Sequence, residues 1–268
     1  MRIAGPVFLC TSLLVVPLWA GETANPMQPG GSWPGLRHDV FGAAEIGETP
    51  AALALDAPFR AHDPALVPVH VTQPEGAPRL SQVTLVIDEN PAPVAATITL
   101  GQAMHPLDLE LRVRVNAYSN LRAVGRTAGG DWVMAGRFVR ASGGCAAPAG
   151  KDAEAALAHL GEMRFQAIAS EATPEGLVRT AKLMLRHPNY SGLQRDPVTQ
   201  LSIPARYVDR LEVRQGDELL FAISGGISIS EDPVFTFRYL DRGAGMIRVH
   251  AVDTEGTAFE GSFAQTSG

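Results

Sequence analysis

A single cysteine in the middle of the chain is the side chain best suited to covalent chemistry. Arg140 to Asp152 read RASGGCAAPAGKD, so Cys145 stands among glycines, alanines and a proline. A cysteine thiolate is a nucleophile that attacks sulfur electrophiles. Structural cysteines are normally packed among larger apolar side chains, and few are present here. The pattern favours an exposed thiol on a mobile loop. A buried inert thiol and a plain linker with an accidental cysteine remain the alternatives.

The N-terminal segment determines where the protein is expected to act. Val7–Val16 form an apolar run of the length of a signal-peptide core, preceded by one positive charge and followed by the small residues Ala20 and Gly21. The run is too short for a transmembrane helix, which needs roughly 20 apolar residues. We therefore predict a signal peptide over residues 1–20, cleaved near Ala20. The mature protein is expected to be soluble, without membrane insertion, and periplasmic in a Gram-negative host.

Cleavage would leave one cysteine. Of the two in the chain, Cys10 lies inside the apolar run and lacks the preceding small residues of a lipoprotein cleavage box. Cys145 is then unpaired in an oxidising compartment. A leftover thiol in a secreted protein indicates either an intermolecular bond or a working thiol. Nearby Arg140 and Lys151 could favour its anionic form.

Other candidate chemistry is weak. No two of the seven histidines have a metal-ligand spacing such as HxxxH, no CxxC is present, and GxGxxG, GxSxG and P-loop patterns are missing. We therefore predict no metal site, no tightly bound cofactor and no catalytic residues, and the protein is not expected to be an enzyme. His187 is interpreted as a structural or interface residue. Asp88–Asn90 before Pro91 is interpreted as a turn, with a functional carboxylate pair as the alternative.

Composition indicates a globular, turn-rich protein. The 268 residues are 46% hydrophobic and 19% charged, with 27 glycines and 20 prolines. The length allows one large domain or two of ordinary size. The net charge of −6 and the lack of a Lys/Arg block argue against a nucleic-acid partner.

Short alternating runs separated by turn signals predict an all-β fold. One helix is predicted, over Lys151–Glu162, with Leu157 and Leu160 on a common face. The alternating aromatics of VFTFRYL are expected in the core or at a domain interface. The predicted strands are Leu66–Thr72, Val83–Asp88, Ala96–Leu100, Leu107–Val115, Leu121–Arg126, Trp132–Arg140, Met163–Ala169, Thr180–Arg186, Leu211–Gln215, Leu219–Ser224, Val234–Tyr239, Met246–Asp253 and Ala258–Phe263.

Several ordered blocks resemble a known pair of proteins. The first half resembles the sulfur carrier subunit SoxY, and the second resembles its partner SoxZ. The SoxY-like blocks are WPGLRHDVFG, DPALVPVHVT, IDENPAPVA, RVRVNAYSNLRAVG and SGGC ending at Cys145; the SoxZ-like blocks are LRHPNYSGLQRDPVTQLSIPARYVDRLEV, ISISEDPVFTFRYL and IRVHAVDTEG. The whole resembles fused SoxYZ-like carriers associated with quinoprotein dehydrogenases.

The resemblance implies both a fold and a role. It implies two immunoglobulin-like β-sandwiches in tandem, joined by a short loop and helix. Cys145, preceded by Gly143 and Gly144 as flexible residues, matches a cysteine that carries sulfur intermediates covalently between enzymes. The implied partners are periplasmic sulfur-oxidation-type enzymes or a quinoprotein (alcohol) dehydrogenase system. The domain boundaries are then a flexible lead-in over 21–35, a SoxY-like domain over 36–142, a carrier loop and connector helix over 143–162, and a SoxZ-like domain over 163–268.

Two departures from the family pattern leave a second function open. The family's carrier arm reads GGCGG and ends the chain, whereas here Ala146-Ala147-Pro148 follow the cysteine, with more than a hundred residues beyond them. An internal loop must enter a partner doubled over, and about four extended residues per side reach roughly 13 Å. The alternative is a non-catalytic binding or assembly module for a quinoprotein dehydrogenase, in which Cys145 is dispensable.

Overall fold

Nearly all of the regular secondary structure in the described chain is β-strand. The computed structural model describes residues 25–148, here the N-terminal half, and 157–265, the C-terminal half. The elements are α1 Trp33–Phe41, β1 Ala54–Asp56, β2 Val67–Thr72, β3 Leu80–Ile87, β4 Val94–Leu100, a 3-10 turn Gln102–Met104, β5 Asp108–Val113, β6 Ser119–Thr127, β7 Trp132–Val139, β8 Met163–Thr173, β9 Gly176–Leu185, β10 Val208–Gln215, β11 Glu218–Gly225, β12 Val234–Leu240, β13 Met246–Asp253 and β14 Ala258–Ala264.

Two antiparallel sheets each run through both halves. One has the strand order β1-β2-β5-β12-β9-β8, and the other has the order β14-β13-β10-β11-β4-β3-β6-β7. Each half thus contributes three strands to one sheet and four to the other, the strand count of an immunoglobulin constant-type sandwich. The predicted all-β fold of two tandem sandwiches is confirmed.

Main-chain pairing joins the two sandwiches edge to edge. β4 pairs with β11, where Ile98 lies opposite Ile223. β5 pairs with β12, where Leu109 lies opposite Phe237. Because an unpaired edge strand leaves backbone donors and acceptors open, each half closes an edge of the other.

The aromatic run of β12 lies in the core, as predicted. Its side chains alternate between partly exposed and buried, so Phe235, Phe237 and Tyr239 all point inward. The Phe237 ring packs edge-on against Phe221 of β11, with 4.9 Å between centroids. Tyr239 loses almost all solvent contact, and burial raises its pKa to about 12. These rings pack the sheet containing β12 against the sheet containing β11.

The segment Asp88–Asn90 is a turn, as predicted, but a buried one. It follows β3, and the Asp88 carboxylate accepts hydrogen bonds from Arg122 Nε and Nη2, each at 2.8 Å. The Arg122 guanidinium lies 4.2 Å from the centre of the Trp33 ring. Arg122 therefore holds the turn, β6 and α1 together, because it pairs with Asp88 and stacks on Trp33.

The predicted flexible lead-in needs correction for residues 25–35. The buried Asn25 side chain donates to the carbonyl oxygens of Ala57 at 2.8 Å and Phe138 at 3.2 Å. The Phe138 N–H in turn donates to the Asn25 carbonyl oxygen at 2.9 Å. The segment is held because it satisfies backbone groups at the edge of β7, and α1 begins within it at Trp33.

Several predictions concern residues outside the described ranges. These are the signal peptide over 1–20 and residues 151–156 of the predicted helix Lys151–Glu162. The part of that helix in the described chain is short: residues 157–158 are helical, and β8 begins at Met163. Leu160 packs against the core, whereas Leu157 is 44% exposed. Only one of the two leucines that were predicted to share a face therefore contacts the core. Among the described residues, no helix is long and apolar enough to cross a bilayer.

Candidate functional site

Cys145 lies on a turn after β7 and is fully buried. Its relative exposure is 0%, although its neighbours Ser142, Gly143 and Ala146 are exposed. It is a free thiol. The expectation of an exposed thiol on a mobile loop is therefore wrong for this structure. Its neighbours are small, and residues distant in the sequence bind the turn that carries it.

Backbone hydrogen bonds hold the turn against the segment that follows β5. The Gly143 N–H donates to the Asn116 carbonyl oxygen at 2.8 Å, and the Gly144 N–H donates to that of Val115 at 3.1 Å. The turn is closed by the Ala146 N–H, which donates to the Gly143 carbonyl oxygen at 3.1 Å. The path of the chain on both sides of the thiol is thus fixed by main-chain contacts.

The two glycines before Cys145, which were predicted as flexible residues, are needed for conformation and space in the closed turn. Gly143 has φ +79°, a left-handed conformation that disfavours side chains. At Gly144, a Cβ would lie 2.1 Å from the Pro64 carbonyl oxygen and 2.6 Å from that of Val115. Only a glycine at 144 lets the turn approach this backbone so closely.

The C-terminal half binds the turn from the other side. The segment between β9 and β10 brings Ser191 and Gln194 over the turn; we call Ser191–Gln194 the clamp. Ser191 Oγ donates to the Cys145 carbonyl oxygen. Gln194 Nε2 donates to the Ala147 carbonyl oxygen at 2.9 Å, while its Oε1 accepts from the Ser191 N–H at 3.1 Å. The clamp therefore binds backbone carbonyls at and beyond the cysteine.

A buried arginine that the sequence analysis missed lies beside the thiol. Arg114 is 1% exposed. Its Nη1 donates to the Gly144 carbonyl oxygen at 3.3 Å, and its Nη2 lies 3.5 Å from the Asn189 carbonyl oxygen. Within the part of the chain that the structure describes, its Nε has no hydrogen-bond partner.

Burial and neighbouring charges shift the pKa values of Cys145 and Arg114 in opposite directions. Burial raises the pKa of the Cys145 thiol, and the positive charge of Arg114 opposes the rise in pKa. Burial likewise lowers the pKa of Arg114, against the fields of Glu231, Cys145 and Asp63. Because the net pKa shift of the thiol is upward, the closed site holds a neutral thiol at neutral pH.

Of the two cations proposed from the sequence, Arg140 does not take this place. The Arg140 guanidinium stacks over the Phe59 ring, 4.7 Å from its centre, and Lys151 lies outside the described residues. The alternation LDLELRVRV predicts that Arg114 points to solvent, as Arg112 does. Arg114 departs from that pattern because β5 ends at Val113 and the C-terminal half covers the next residue.

Buried polar contacts between the halves surround the site. The Arg114 N–H donates to the Ser228 carbonyl oxygen at 2.7 Å. Asn90 Nδ2 donates to Ser228 Oγ at 2.9 Å, and Ser230 Oγ donates to the Ala65 carbonyl oxygen at 2.7 Å. Within the C-terminal half, Asn189 Nδ2 donates to the Ser230 carbonyl oxygen at 2.9 Å and so holds Ser230 in place. Such satisfied buried groups fix one relative position of the halves, because breaking any of them leaves an unpaired polar atom.

His187 has the structural role that the sequence analysis predicted. It is fully buried, and its Nδ1 accepts from the Asn189 N–H at 3.0 Å while its Nε2 lies 3.5 Å from Asp253 Oδ2. Burial lowers its pKa, so the ring is neutral at neutral pH. Within 25–148 and 157–265, no group of three or more His, Cys, Asp or Glu side chains is arranged to hold a metal ion.

Family comparisons match the two halves separately. The family SoxY, "Sulfur oxidation protein SoxY", matches residues 37–145, and the family SoxZ, "Sulphur oxidation protein SoxZ", matches residues 168–264. The two matches support a carrier-type role in sulfur oxidation. The chain belongs to these families as a fused SoxYZ-like protein, with SoxY in its N-terminal half and SoxZ in its C-terminal half.

Other comparisons add little. The search of curated proteins gives no match. Among solved structures, a glycosyl hydrolase family 2 member from Bacteroides cellulosilyticus DSM 14838 is similar at 13% identity and a TM-score of 0.22, over 76% of this chain and 25% of that chain. This chain therefore spans about a quarter of that protein, and the likeness has no bearing on function.

Proposed function

We propose that this protein is an exported carrier that holds a sulfur-containing or other thiol-reactive group covalently on Cys145 and presents it to partner enzymes. The observation that carries the proposal is the position of Cys145. It is the residue at which the SoxY match ends, and it lies on a turn outside every strand of both sheets. A thiol in that position can move without breaking either sheet.

A carrier with this closed site must open to be loaded. Opening would break the two hydrogen bonds from the clamp, the bonds to Val115 and Asn116 and the bond from Arg114 to Gly144, while all strand pairing stays intact. Local openings of this kind cost less free energy than global unfolding and expose single segments. The exposed neighbours Ser142, Gly143 and Ala146 give the turn a direction in which to leave.

The loading chemistry needs no acid or base from this protein. In a sulfane transfer, the Cys145 thiolate attacks the outer sulfur of a persulfide R–S–SH, forming Sγ–S as the donor S–S bond breaks. The electron pair leaves with the donor as R–S⁻, which takes up the proton that Cys145 releases. Partner enzymes of sulfur oxidation would supply and remove the group.

Export and domain boundaries form part of the same proposal. Residues 1–20 would be removed near Ala20 to give a periplasmic protein. The carrier loop and connector would span 143–162, between a SoxY-like domain over 36–142 and a SoxZ-like domain over 163–268. A periplasmic location suits a carrier of oxidised sulfur, because that compartment does not reduce such groups as the cytosol does.

One observation favours the second candidate function. The thiol is buried and has a raised pKa, which is what an inert structural cysteine would show. The protein would then be a non-catalytic binding or assembly module for a quinoprotein (alcohol) dehydrogenase system. In that case Cys145→Ser would leave the dehydrogenase activity of the host unchanged.

The mass of the protein purified from its own host separates the two functions. The carrier proposal predicts an added sulfur-containing mass that a reducing agent removes and that is missing in Cys145→Ser. Ser142→Ala, an exposed neighbour, serves as the control and should keep the added mass. An unmodified wild-type thiol under sulfur-oxidising growth, with normal host physiology in Cys145→Ser, would refute the carrier proposal.

A further inference from the structure

We propose that Arg114 is the charge partner of the cargo: its buried guanidinium pairs with an anionic sulfur group on Cys145 and holds the loaded turn closed. This inference rests on the proposed carrier function. It takes the cargo to be an anionic sulfur group, such as a persulfide, and concerns only the residue that pairs with it.

The geometry places the cation beside the position that the cargo would occupy. Arg114 Nη1 binds the carbonyl oxygen of Gly144, the residue directly before the cysteine. The whole side chain is 1% exposed, so water does not screen its charge. The cation and the thiol are thus both buried at the boundary of the two halves, one residue apart along the turn that Arg114 binds.

The hydrogen bonds of Arg114 leave capacity for a further ligand. A guanidinium has five N–H donors. Its contacts with Gly144 and Asn189 use two of them on neutral carbonyl oxygens, and the Nε–H has no hydrogen-bond partner among the described residues. Burying a charge and an unsatisfied donor is costly unless an anion or further acceptors compensate. Glu231 and Asp63 also contribute negative field at Arg114.

Loading replaces a neutral thiol with a negatively charged group, which the positive charge of Arg114 favours. The empty thiol is neutral in the closed site because burial raises its pKa. A persulfide is a stronger acid than a thiol, so the loaded sulfur chain carries the negative charge that the empty site lacks. Charge-assisted hydrogen bonds are roughly twice as strong as neutral ones. The closed turn is therefore more stable when it is loaded, and the cargo is shielded from solvent in transit.

Two small adducts on Cys145, one anionic and one neutral, test the role of Arg114 directly in the folded protein. Tetrathionate converts Cys–S⁻ to Cys–S–S–SO3⁻ and releases thiosulfate, whereas methyl methanethiosulfonate gives the neutral Cys–S–S–CH3 and releases methanesulfinate. The rate at which 2-mercaptoethanol removes each adduct is measured in the folded protein and in the urea-unfolded chain. The ratio of the unfolded rate to the folded rate is the protection of that adduct, free of its intrinsic reactivity.

We expect the anionic adduct in the wild type to be protected about tenfold more than the neutral one. Arg114→Met should bring the two protections together, and Arg114→Lys should restore part of the difference. Arg112→Met, an exposed arginine two residues away, is the matched control and should behave as the wild type. If Arg114→Met does not fold, the proposal is still tested by comparing the protections of the two adducts in the wild type and in Arg114→Lys.

The outcomes separate this inference from the carrier function. Adducts that form on Cys145 with equal protection in the wild type, or a difference that persists in Arg114→Met, would overturn the role of Arg114 and leave the carrier function standing. A thiol that neither reagent modifies in the folded protein would overturn both.

Discussion

Two effects set the pKa of Cys145, and with it the reactivity of the thiol: the burial of Cys145 itself and the positive charge of Arg114. Burial raises the pKa of the thiol more than Arg114 lowers it, so the closed form favours the protonated state. By linkage, this thiol stabilises the closed form fully below the thiol pKa of the unfolded chain. That stabilisation is lost as the pH rises through the higher pKa of the folded protein.

The first prediction concerns the pH dependence of alkylation. We expect the rate of iodoacetamide labelling of the folded protein to keep rising with pH beyond the point at which the urea-unfolded chain levels off, because the closed thiol stays neutral to higher pH. Rates measured across the alkaline range on both states give the two pKa values. A lower apparent pKa in the folded protein would mean that Arg114, not burial, dominates.

The two glycines give a second prediction. Gly143→Ala places a side chain at φ +79° in open space, which costs about 1 kcal/mol and should speed labelling of Cys145 roughly fivefold. Gly144→Ala forces a Cβ to within 2.1 Å of a carbonyl oxygen and should displace the turn, with a larger increase. Labelling by a thiol reagent under native conditions measures both.

The control for the glycines is Gly130→Ala, which has φ +100° in the β6–β7 hairpin and open space around it. It should lower global stability without speeding native-state labelling. Equal labelling of Gly144→Ala and the wild type would contradict the tight packing of the turn.

At the residue scale, the sequence identified the reactive atom but not its surroundings. Cys145 follows from counting cysteines and subtracting the signal segment. Its burial does not follow, because the turn is bound by Ser191, Gln194 and Arg114, none of which is near it in the sequence. Arg114 was missed because strand alternation assigns it to the outer face, and only contact with the other half reverses that assignment.

At the scale of elements, the clamp connects the two halves at the thiol. The segment between β9 and β10 belongs to the SoxZ unit, yet two of its side chains bind backbone of the SoxY unit. From this arrangement we expect the SoxZ unit to limit how often the turn that bears Cys145 opens.

The third prediction follows from the clamp. A neutral hydrogen bond contributes about 1 kcal/mol, so Ser191→Ala and Gln194→Met should each speed labelling of Cys145 by roughly threefold to tenfold. Thr199→Ala is the matched control, because its hydroxyl bonds Asp196 within the same connecting segment and not the carrier turn. Labelling rates that are unchanged in both clamp variants would show that the clamp does not limit opening.

Strand positions were largely predictable, whereas strand partners were not. The runs Met246–Asp253 and Val234–Tyr239 lie within a residue of the observed β13 and β12, because alternation and turn residues are local signals. β1 and α1 were missed, since each is short and lacks clear periodicity. The pairings β4–β11 and β5–β12 depend on which edges meet, and a single half carries no signal for that.

At the scale of the whole molecule, the fused chain behaves as one pair of continuous sheets. Four strands of one sheet come from each half, and the other sheet takes three from each. Phe221 and Phe237 are completely buried where the two sheets face each other. The covalent connection therefore adds to an interface that main-chain pairing already makes.

The fourth prediction tests that interface. After cleavage at a protease site inserted between residues 149 and 156, the two fragments should co-elute in size-exclusion chromatography and unfold in a single transition. Backbone pairing and buried aromatic rings hold them together without the connecting segment. Fragments that elute separately in native buffer would contradict continuous sheets.

The central claim is that Cys145 becomes reactive through local opening of its turn, with the sheets intact. The direct measurement is the rate of Cys145 labelling in the native state as a function of urea, compared with global unfolding followed by circular dichroism. Local opening exposes little surface, so the logarithm of the labelling rate should hardly change with urea until the unfolding transition. A labelling rate that follows the full slope of global unfolding down to zero urea would contradict the account, because the thiol would then be reached only by unfolding the protein.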